Sequence, residues 1–211
     1  MEAITIPKGF FVTPEQFDQL AQAEQIARME LTKDGELMVM SPQSERSDRR
    51  LNDDLRIFDS RGGTAGRKNR RLAQQIGIWT DRDGMGEAFD SSTIFVLTNG
   101  ARRSPDVSWI ELERWNQLTQ AQQDGFPPIV PDFVIELVSP SDLKNQRYED
   151  LQLKMQEYLD NGVRLGWLIE PSAKTVEIYR VGQQVEILNN PQTLSGEDVL
   201  PGFVLDLSEI F

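Results

Sequence analysis

One apolar run, between residues 131 and 142, stands out in the pattern of hydrophobic positions along the chain. Phe133 to Val138 is apolar at every position except Glu136, and a Ser-Pro-Ser turn follows it. Such a run is typical of a strand in the middle of a sheet with both faces covered. A carboxylate inside that strand is unfavourable unless a metal ion or a lysine compensates its charge. The pattern therefore predicts a central strand whose single acid has a cationic partner.

The segment after this strand, residues 145–161, has the clearest helical periodicity in the sequence. Lys154 lies beside the apolar stripe of the predicted helix. The stripe consists of Leu151, Met155, Tyr158 and Leu159. A second apolar segment, residues 165–170, predicts another strand. Because two strands joined by a helical crossover form a right-handed parallel connection, we expect these two strands to be parallel.

Turn signals and shorter patterns predict the remaining elements. We expect hairpins around Asp34-Gly35, Asn99-Gly100 and Val181-Gly182, with arms at residues 27–31 and 36–40, 93–97 and 102–110, and 175–179 and 184–188. Start signals and helical spacing predict helices at residues 13–23, 44–60 and 111–122. A strand is predicted at residues 72–79, followed by a polar segment at residues 81–90.

The order of these elements predicts an α/β fold with a mixed central sheet flanked by helices, in the order α-β-β-β-α-β. The six core elements are the predicted helix 44–60, the strands 93–97, 102–110 and 131–138, the helix 145–161 and the strand 165–170. We expect a single domain over residues 1–211. Its parts are an N-terminal helix and hairpin appendage at residues 1–43, the core at residues 44–170, and a C-terminal hairpin and tail at residues 171–211.

Composition restricts the chemistry that this fold can perform. The chain has no cysteine and no histidine, which excludes disulfides, thiol nucleophiles, Ser-His-Asp triads and most zinc sites. The formal net charge of −12 opposes broad contact with a polyanion. No apolar run approaches the ~18 residues of a membrane span, and the first residues lack a signal peptide pattern. These features predict a soluble, cytoplasmic protein without a membrane segment.

Two acids and one lysine are the candidates for chemistry. Neighbouring core strands could bring Asp106 and Glu136 together, and oxygen ligands without His or Cys favour Mg²⁺ or Mn²⁺. A metal held by two acids can activate water and stabilise phosphoryl charge, as metal-assisted phosphodiester hydrolysis requires. Lys154 could orient the attacking water or neutralise the transition state. A structural alternative is a buried ion pair between Glu136 and Lys154 or Arg147.

Basic residues crowd residues 46–71 and could contact phosphates, although several nearby acids make a solvated, balanced face the competing interpretation. The basic residues are Arg46, Arg49, Arg50, Arg56, Arg61, Arg67, Lys68, Arg70 and Arg71.

Ser104-Pro105-Asp106, followed by Glu136-Leu137-Val138, resembles the signature of the PD-(D/E)XK nuclease superfamily. The chain is similar to the putative restriction endonuclease family that is especially abundant in cyanobacteria. The resemblance is dense at residues 89–93, 103–109, 131–137, 154–163 and 194–203. It implies a restriction endonuclease-like fold and a Mg²⁺-dependent endonuclease acting on DNA, working as a homodimer.

The resemblance also assigns roles to individual residues. It implies that Asp106 and Glu136 hold the metal, together with the peptide oxygen of Leu137, and that Glu45 is the acid of the first core helix. The usual lysine two positions after the glutamate is replaced by Val138, so its role is transferred to Lys154 on the next helix. Two alternatives remain: an inactive nucleic-acid- or protein-binding module on the same fold, and a metal-dependent hydrolase of small phosphoesters.

Overall fold

The computed structural model describes residues 10–23, 28–41, 57–59, 63–144 and 147–211. The helices in these residues are α1 (Pro14–Ala23), α2 (Gly63–Asp83), α3 (Leu112–Trp115), α4 (Gln120–Asp124), α5 (Pro140–Lys144) and α6 (Tyr148–Asn161). The strands are β1 (Arg28–Leu31), β2 (Leu37–Ser41), β3 (Ile57–Asp59), β4 (Gly86–Asp90), β5 (Phe95–Val96), β6 (Arg102–Arg103), β7 (Val107–Glu111), β8 (Phe133–Leu137), β9 (Leu165–Glu170), β10 (Thr175–Arg180), β11 (Glu186–Asn189), β12 (Thr193–Ser195) and β13 (Val204–Asp206). None of the helices in these ranges is long and apolar enough to cross a membrane.

The main sheet has six strands in the order β11-β10-β9-β8-β7-β4. β8 and β9 are parallel and are joined through α6, whereas β4, β7, β10 and β11 each pair with their neighbours in antiparallel orientation. The predicted mixed α/β architecture is confirmed, and so is the parallel crossover from β8 through α6 to β9. β8 therefore lies inside the sheet, as its continuous apolar sequence predicted.

Helices cover the two faces of this sheet. On one face, Leu72 and Ile76 of α2 pack with Trp109 and Ile135 of the sheet. On the other face, Met155 and Tyr158 of α6 pack with the strand residues Val134 and Ile110 and with Val138, which follows β8. Because side chains alternate along a strand, the even-numbered residues of β7 and β8 face α6. Asp106 and Glu136 belong to that series.

A glycine in β9 allows α6 to approach the sheet closely. A Cβ atom at Gly166 would lie 2.6 Å from the Met155 Cε atom, well inside van der Waals contact. Met155 is completely buried and immediately follows Lys154 in α6. The absence of a side chain at position 166 therefore leaves room for Met155, the neighbour of Lys154 in α6.

A second sheet, in the order β3-β2-β1-β6-β5, joins the N-terminal hairpin to the core. The hairpin of β1 and β2 is confirmed, and Leu31 of β1 pairs with Arg102 of β6. The predicted Asn-Gly turn between β5 and β6 is also confirmed, with Gly100 at a φ of 88°. The chain from β6 to β7 thus passes from one sheet to the other at Ser104-Pro105-Asp106. The prediction of one continuous strand over residues 102–110 was wrong at this point, because Pro105 has no N–H to donate to a ladder.

The strand predicted at residues 72–79 is wrong, since these residues lie within α2. Leu72, Ile76 and Thr80 are buried at intervals of four residues, while Ile78 is 43% exposed. A spacing of four residues places one stripe of a helix against the sheet. In a strand, every second side chain would be buried instead. Gly63 and Gly66 lie in the first turns of α2.

The core order α-β-β-β-α-β is formed by elements that differ in part from those predicted. It consists of α2, β4, β7, β8, α6 and β9. Of the predicted helix at residues 44–60, residues 57–59 form the strand β3, and residues 44–56 and 60 lie outside the described residues. β4 occupies part of the segment predicted to be polar and irregular, and the helix predicted at 111–122 is divided into α3 and α4.

Candidate active site

Asp106 and Glu136 lie opposite each other at one end of β7 and β8. These strands are antiparallel with Val107 paired to Ile135, so that Asp106 and Glu136 form the next pair. The Asp106 amide donates to the Ile135 carbonyl at 3.1 Å, and the Leu137 amide donates to Asp106 Oδ2 at 2.8 Å. The two residues are only 0% and 3% exposed, respectively. The two acids chosen from the sequence therefore share one end of the sheet.

Lys154 reaches this end of the sheet from α6. Its Nζ atom lies 2.8 Å from Glu136 Oε1 and also 2.8 Å from Glu30 Oε1. Tyr158, one helical turn after Lys154, donates its hydroxyl to the same Glu136 oxygen at 3.0 Å. The lysine is buried and its ammonium group is directed at the acids.

Glu30, in β1, is a buried acid of this cluster that the sequence did not indicate. Its Oε1 atom accepts from Lys154 Nζ and from the Ser104 amide, at 2.8 and 3.0 Å. Its Oε2 atom accepts from Arg103 Nη1 at 3.2 Å. Arg103 also binds Glu157 of α6, with 2.6 Å between Arg103 Nε and Glu157 Oε2. The N-terminal hairpin, the β6–β7 connection and α6 therefore meet through one network of charged groups.

The protonation of this network follows from its burial and its charges. Burial raises the pKa of Tyr158 well above its usual value, and Glu136 and Glu30 raise it further, so the phenol stays neutral and donates. Burial acts to lower the pKa of the Arg103 guanidinium, but the negative charges of Glu30 and Glu157 outweigh this effect. The pKa of Arg103 is therefore raised. Arg103 thus remains a cation between two carboxylates.

A cleft of about 740 Å³ opens beside Glu136, Leu137 and Lys154. Among the described residues that line it, eight are acidic and four are basic. Arg147, which the sequence suggested as an alternative partner of Glu136, also lines the cleft and forms an ion pair with Asp142 at 3.1 Å. The ion pair of Glu136 with Lys154 thus lies at the wall of a space that a ligand can enter.

The described residues contain no group of three or more acidic, histidine or cysteine side chains arranged to hold a metal ion. Asp106 and Glu136, which lie opposite each other, provide a smaller set of hard oxygen donors. Mg²⁺ commonly binds proteins through one or two carboxylates and retains several water molecules. The donor set of this site therefore fits Mg²⁺ or Mn²⁺ and does not fit a metal that requires a complete protein cage.

The basic residues predicted to contact phosphates fall into two groups. Arg67, Lys68, Arg70 and Arg71 lie in the N-terminal half of α2, where Arg71 pairs with Glu209 at 3.0 Å. α2 leads through a short turn into β4 and packs back across it, and Asp90 at the end of β4 pairs with Val107. The N-terminal half of α2 therefore lies toward the end of the sheet that carries Asp106. Glu45, Arg46, Arg49, Arg50, Arg56 and Arg61 lie outside the described residues.

Sequence signals existed for some of the residues that were not predicted. Tyr158 follows Lys154 by four positions, so both face the same way on a helix. Arg103 immediately precedes Ser104-Pro105-Asp106, within one of the stretches that carry the family resemblance. Glu30 had no such signal, because its contacts depend on how the hairpin packs against α6.

Comparisons with known proteins identify the family and the fold of the chain. A family model named Uma2, with the description "Putative restriction endonuclease", matches residues 49–208. The fold is similar to a crystal structure described as a putative nuclease belonging to DUF820 from Anabaena variabilis, with a TM-score of 0.70. The two chains are 19% identical over 95% of this chain and 97% of that one. No curated protein is significantly similar in sequence. The restriction endonuclease-like fold expected from the sequence is thereby confirmed.

Proposed function

The chain belongs to the Uma2 family, and we propose that it is a nuclease that hydrolyses phosphodiester bonds in DNA with the help of Mg²⁺ or Mn²⁺. The observation that carries this proposal is the convergence of Asp106, Glu136 and Lys154 at one end of the sheet, where Glu136 and Lys154 line the cleft. Two acids on neighbouring strands and a lysine 2.8 Å from one of them form a set of groups suited to this reaction. The family description supports the reaction class.

In this proposal, Asp106, Glu136 and the peptide oxygen of Leu137 hold the metal ion. When bound, the ion would lower the pKa of a water molecule and offset negative charge on the phosphoryl group. Lys154 has a flexible stem and a compact charge, which suit it to orient the attacking water or to stabilise the transition state. Tyr158 keeps Glu136 in position through its hydrogen bond. An assisting role for Glu45 stays a prediction.

The test of this proposal is a cleavage assay with purified protein on supercoiled DNA, single-stranded DNA and RNA. We expect DNA cleavage with Mg²⁺ or Mn²⁺ and none with a chelator. Asp106→Asn, Glu136→Gln and Lys154→Ala should each lower the cleavage rate by about 10²-fold or more.

Glu36→Gln is the matched control, because Glu36 lines the same cleft without a part in the proposed site. It should cleave at the wild-type rate or slightly faster, since it removes one negative charge from the cleft. Failure of the wild-type protein to cleave any of the three substrates with either metal would contradict the proposal. Undiminished cleavage by Asp106→Asn and Glu136→Gln would contradict the assigned site.

DNA contact is proposed for the N-terminal half of α2. Arg67 and Arg70 are exposed there, and local positive charge acts on phosphates within the ~10 Å screening length despite the net charge of the whole chain. Replacing both arginines by glutamine should weaken DNA binding at every sequence and reduce its dependence on salt. Binding measured by fluorescence anisotropy over a range of salt concentrations tests this. Equal affinity and equal salt dependence in the variant would exclude α2 as the contact surface.

We also propose that the nuclease is a homodimer, because two sites would serve the two strands of a duplex. Light scattering during size-exclusion chromatography should give twice the mass of the 24.0 kDa chain. A monomer that cleaves both strands would contradict this part of the proposal.

A second candidate function is hydrolysis of a small phosphoester. The excess of acidic over basic residues among the described residues of the cleft favours it, since such a cleft repels an extended polyanion. Hydrolysis of bis(p-nitrophenyl) phosphate by a protein that neither binds nor cleaves DNA would identify this function.

A further inference from the structure

Glu30 occupies a position that is unusual for a residue of a short hairpin strand. It is 0% exposed, and its neighbours Met29 and Leu31 are buried in a separate apolar cluster with Val12, Phe17 and Leu37. Because side chains alternate along β1, Glu30 points away from that cluster. It meets the β6–β7 connection and α6 instead, through Ser104, Arg103 and Lys154.

The contact with Lys154 restricts a side chain that is otherwise flexible. A lysine stem has four rotatable bonds and does not define the position of its ammonium group by itself. Here two carboxylate oxygens, one of Glu30 and one of Glu136, each lie 2.8 Å from Nζ. Two acceptors supplied by different elements hold the ammonium group between them, whereas Glu136 alone would leave it free to rotate about one contact.

The other contacts of Glu30 act on the segment that carries Asp106. The Ser104 amide donates to Glu30 Oε1, and Ser104 precedes Asp106 by two residues. Arg103 donates to Glu30 Oε2 and also binds Glu157, which is three residues from Lys154 on α6. One carboxylate thus fixes the chain before Asp106 and the helix that carries Lys154 relative to each other.

We propose that Glu30 is a positioning residue of the active site, through which the N-terminal hairpin sets the location of Lys154 and Asp106. This inference rests on the proposed nuclease function. Glu30 lies before the family-model match at residues 49–208, so the description of the family does not assign it. With its contacts to Lys154, Ser104 and Arg103, Glu30 supports the residues around it, and we assign it no contact with metal or substrate.

The test compares Glu30→Gln with Glu36→Gln, two isosteric changes in the same hairpin, of which only the first removes the carboxylate bound by Lys154. Glu30→Gln should lower kcat for cleavage by about 10- to 100-fold, the range found for groups that orient active-site ligands. Its KM should remain close to the wild-type value, because a positioning residue acts through Lys154 and not by binding the substrate. Glu36→Gln should keep kcat at the wild-type value or slightly above it, with KM close to the wild-type value.

A double-mutant cycle separates positioning from a general structural role. If Glu30 acts through Lys154, Glu30→Gln should have a clearly smaller effect on kcat in a Lys154→Ala background than in the wild-type protein, and the remainder reflects Asp106. Full additivity of the two changes would overturn the proposal. Glu30→Asp, which keeps the charge and shortens the stem, provides a second variant if Glu30→Gln does not fold, and it should show the same loss of kcat with a smaller magnitude.

A readout without catalysis distinguishes failure of this inference from failure of the proposed function. Amine acylation of the folded protein, followed by peptide mass spectrometry, reports the accessibility of Lys154 relative to the exposed Lys174. Lys154 should react severalfold faster in the Glu30 variant than in the wild-type protein or in Glu36→Gln. An unchanged rate would refute the positioning role even in a protein that cleaves nothing. If the wild-type protein cleaves nothing, faster labelling of Lys154 in the Glu30 variant would still support the positioning role. Only the nuclease function would then be rejected.

Discussion

Two buried glutamates face α6 from the same sheet, and they differ in what binds them. Glu136 of β8 is 3% exposed and Glu177 of β10 is 4% exposed, so burial does not distinguish them. Glu177 accepts hydrogen bonds from Tyr148, Gln152 and Tyr179, at 2.8, 2.8 and 2.6 Å. All three of these donors are neutral, whereas Glu136 is bound by the ammonium group of Lys154 as well as by a tyrosine.

The difference separates an acid that docks a helix from an acid that is suited to chemistry. Tyr148 and Gln152 lie in the first half of α6, so their hydrogen bonds to Glu177 hold that half against β10. Glu136, in contrast, lies beside Asp106 and lines the cleft together with Lys154. A buried carboxylate is therefore informative about function when a cation and a second acid accompany it at an accessible surface.

The largest expected difference between the two acids is in catalysis. Glu136→Gln should lower the rate of metal-dependent DNA cleavage by about 10²-fold or more, because it removes a proposed metal ligand. Glu177→Gln should cleave at a rate close to that of the wild-type protein while losing about 1–3 kcal/mol of stability. Cleavage assays and urea unfolding of both variants measure this contrast. An equal loss of activity in the two variants would contradict the assignment of Glu136 to catalysis and of Glu177 to helix packing.

The next largest difference is in stability. Lys154→Met removes a cation from two buried carboxylates and should lower the free energy of unfolding by about 3–5 kcal/mol. The other hydrogen-bond donors to Glu30 and Glu136, which remain in the variant, reduce this loss. Gln152→Met removes one neutral donor from Glu177 and should cost about 1 kcal/mol. Urea titrations monitored by tryptophan fluorescence give both values. If the two variants are equally stable, the charge of the lysine does not matter to the folded state.

The tyrosines of the two clusters predict a loss of stability at alkaline pH. Burial, followed by the hydrogen bond to Glu177, raises the pKa values of Tyr148 and Tyr179, and burial followed by Glu136 raises that of Tyr158. Because the folded-state pKa values exceed that of an unfolded tyrosine, their stabilising contribution is complete below about pH 10. It is lost as the pH rises from there towards the folded-state values.

The chain has three tyrosines, all in these two clusters, so the near-ultraviolet absorbance of tyrosinate reports on them alone. In the folded protein this absorbance should remain absent at about pH 10 and should appear only together with unfolding. Ionisation near pH 10 in a protein that is still folded would show that the phenols are exposed to water.

The smallest expected difference is between single hydroxyl groups. Tyr158→Phe and Tyr148→Phe each remove one donor to a buried acid and should each cost about 1 kcal/mol. Only Tyr158→Phe should also slow DNA cleavage, because its hydroxyl binds Glu136 beside Lys154. Parallel measurements of unfolding and cleavage test this, and a slower rate in Tyr148→Phe alone would reverse the assignment of the two clusters.

Local patterns predicted the elements that carry the site. The apolar side chains from Phe133 to Val138 could be buried on both faces only inside a sheet. The apolar stripe of the next helix could be buried only against that sheet. These constraints are contained in short stretches of sequence. They predicted β8, α6 and their parallel crossover, and they indicated Glu136 and Lys154 as possible partners.

The helix α2 was predicted as a strand because Ile76, Ile78 and Trp79 are residue types that favour strands. The packing of Leu72, Ile76 and Thr80 against the sheet outweighs that preference, and the preference alone could not reveal which face would be buried. The strand β4 was missed for the related reason that its pairing with β7 depends on residues distant in the sequence, whereas Pro105 was itself a local signal for the break between β6 and β7.

Glu30 shows the limit of sequence patterns most clearly. A polar residue between two apolar ones in a hairpin strand has the alternation of a strand with one face in water. Its partner Lys154 lies 124 positions later, and no local period connects the two. Only the packing of β1 beside β6 and under α6 converts a position that looks solvent-exposed into a fully buried one.

The glycine at position 166 allows the packing under α6 to be changed without touching a charged group. A methyl group there would lie 2.6 Å from Met155 Cε, the far end of a flexible side chain, so the Met155 side chain would have to move. Met155 is completely buried and directly follows Lys154 in α6, so the neighbour of the lysine would repack while every acid and base of the site stays in place. Protein engineers could therefore use Gly166→Ala as a steric probe of the packing beside Lys154.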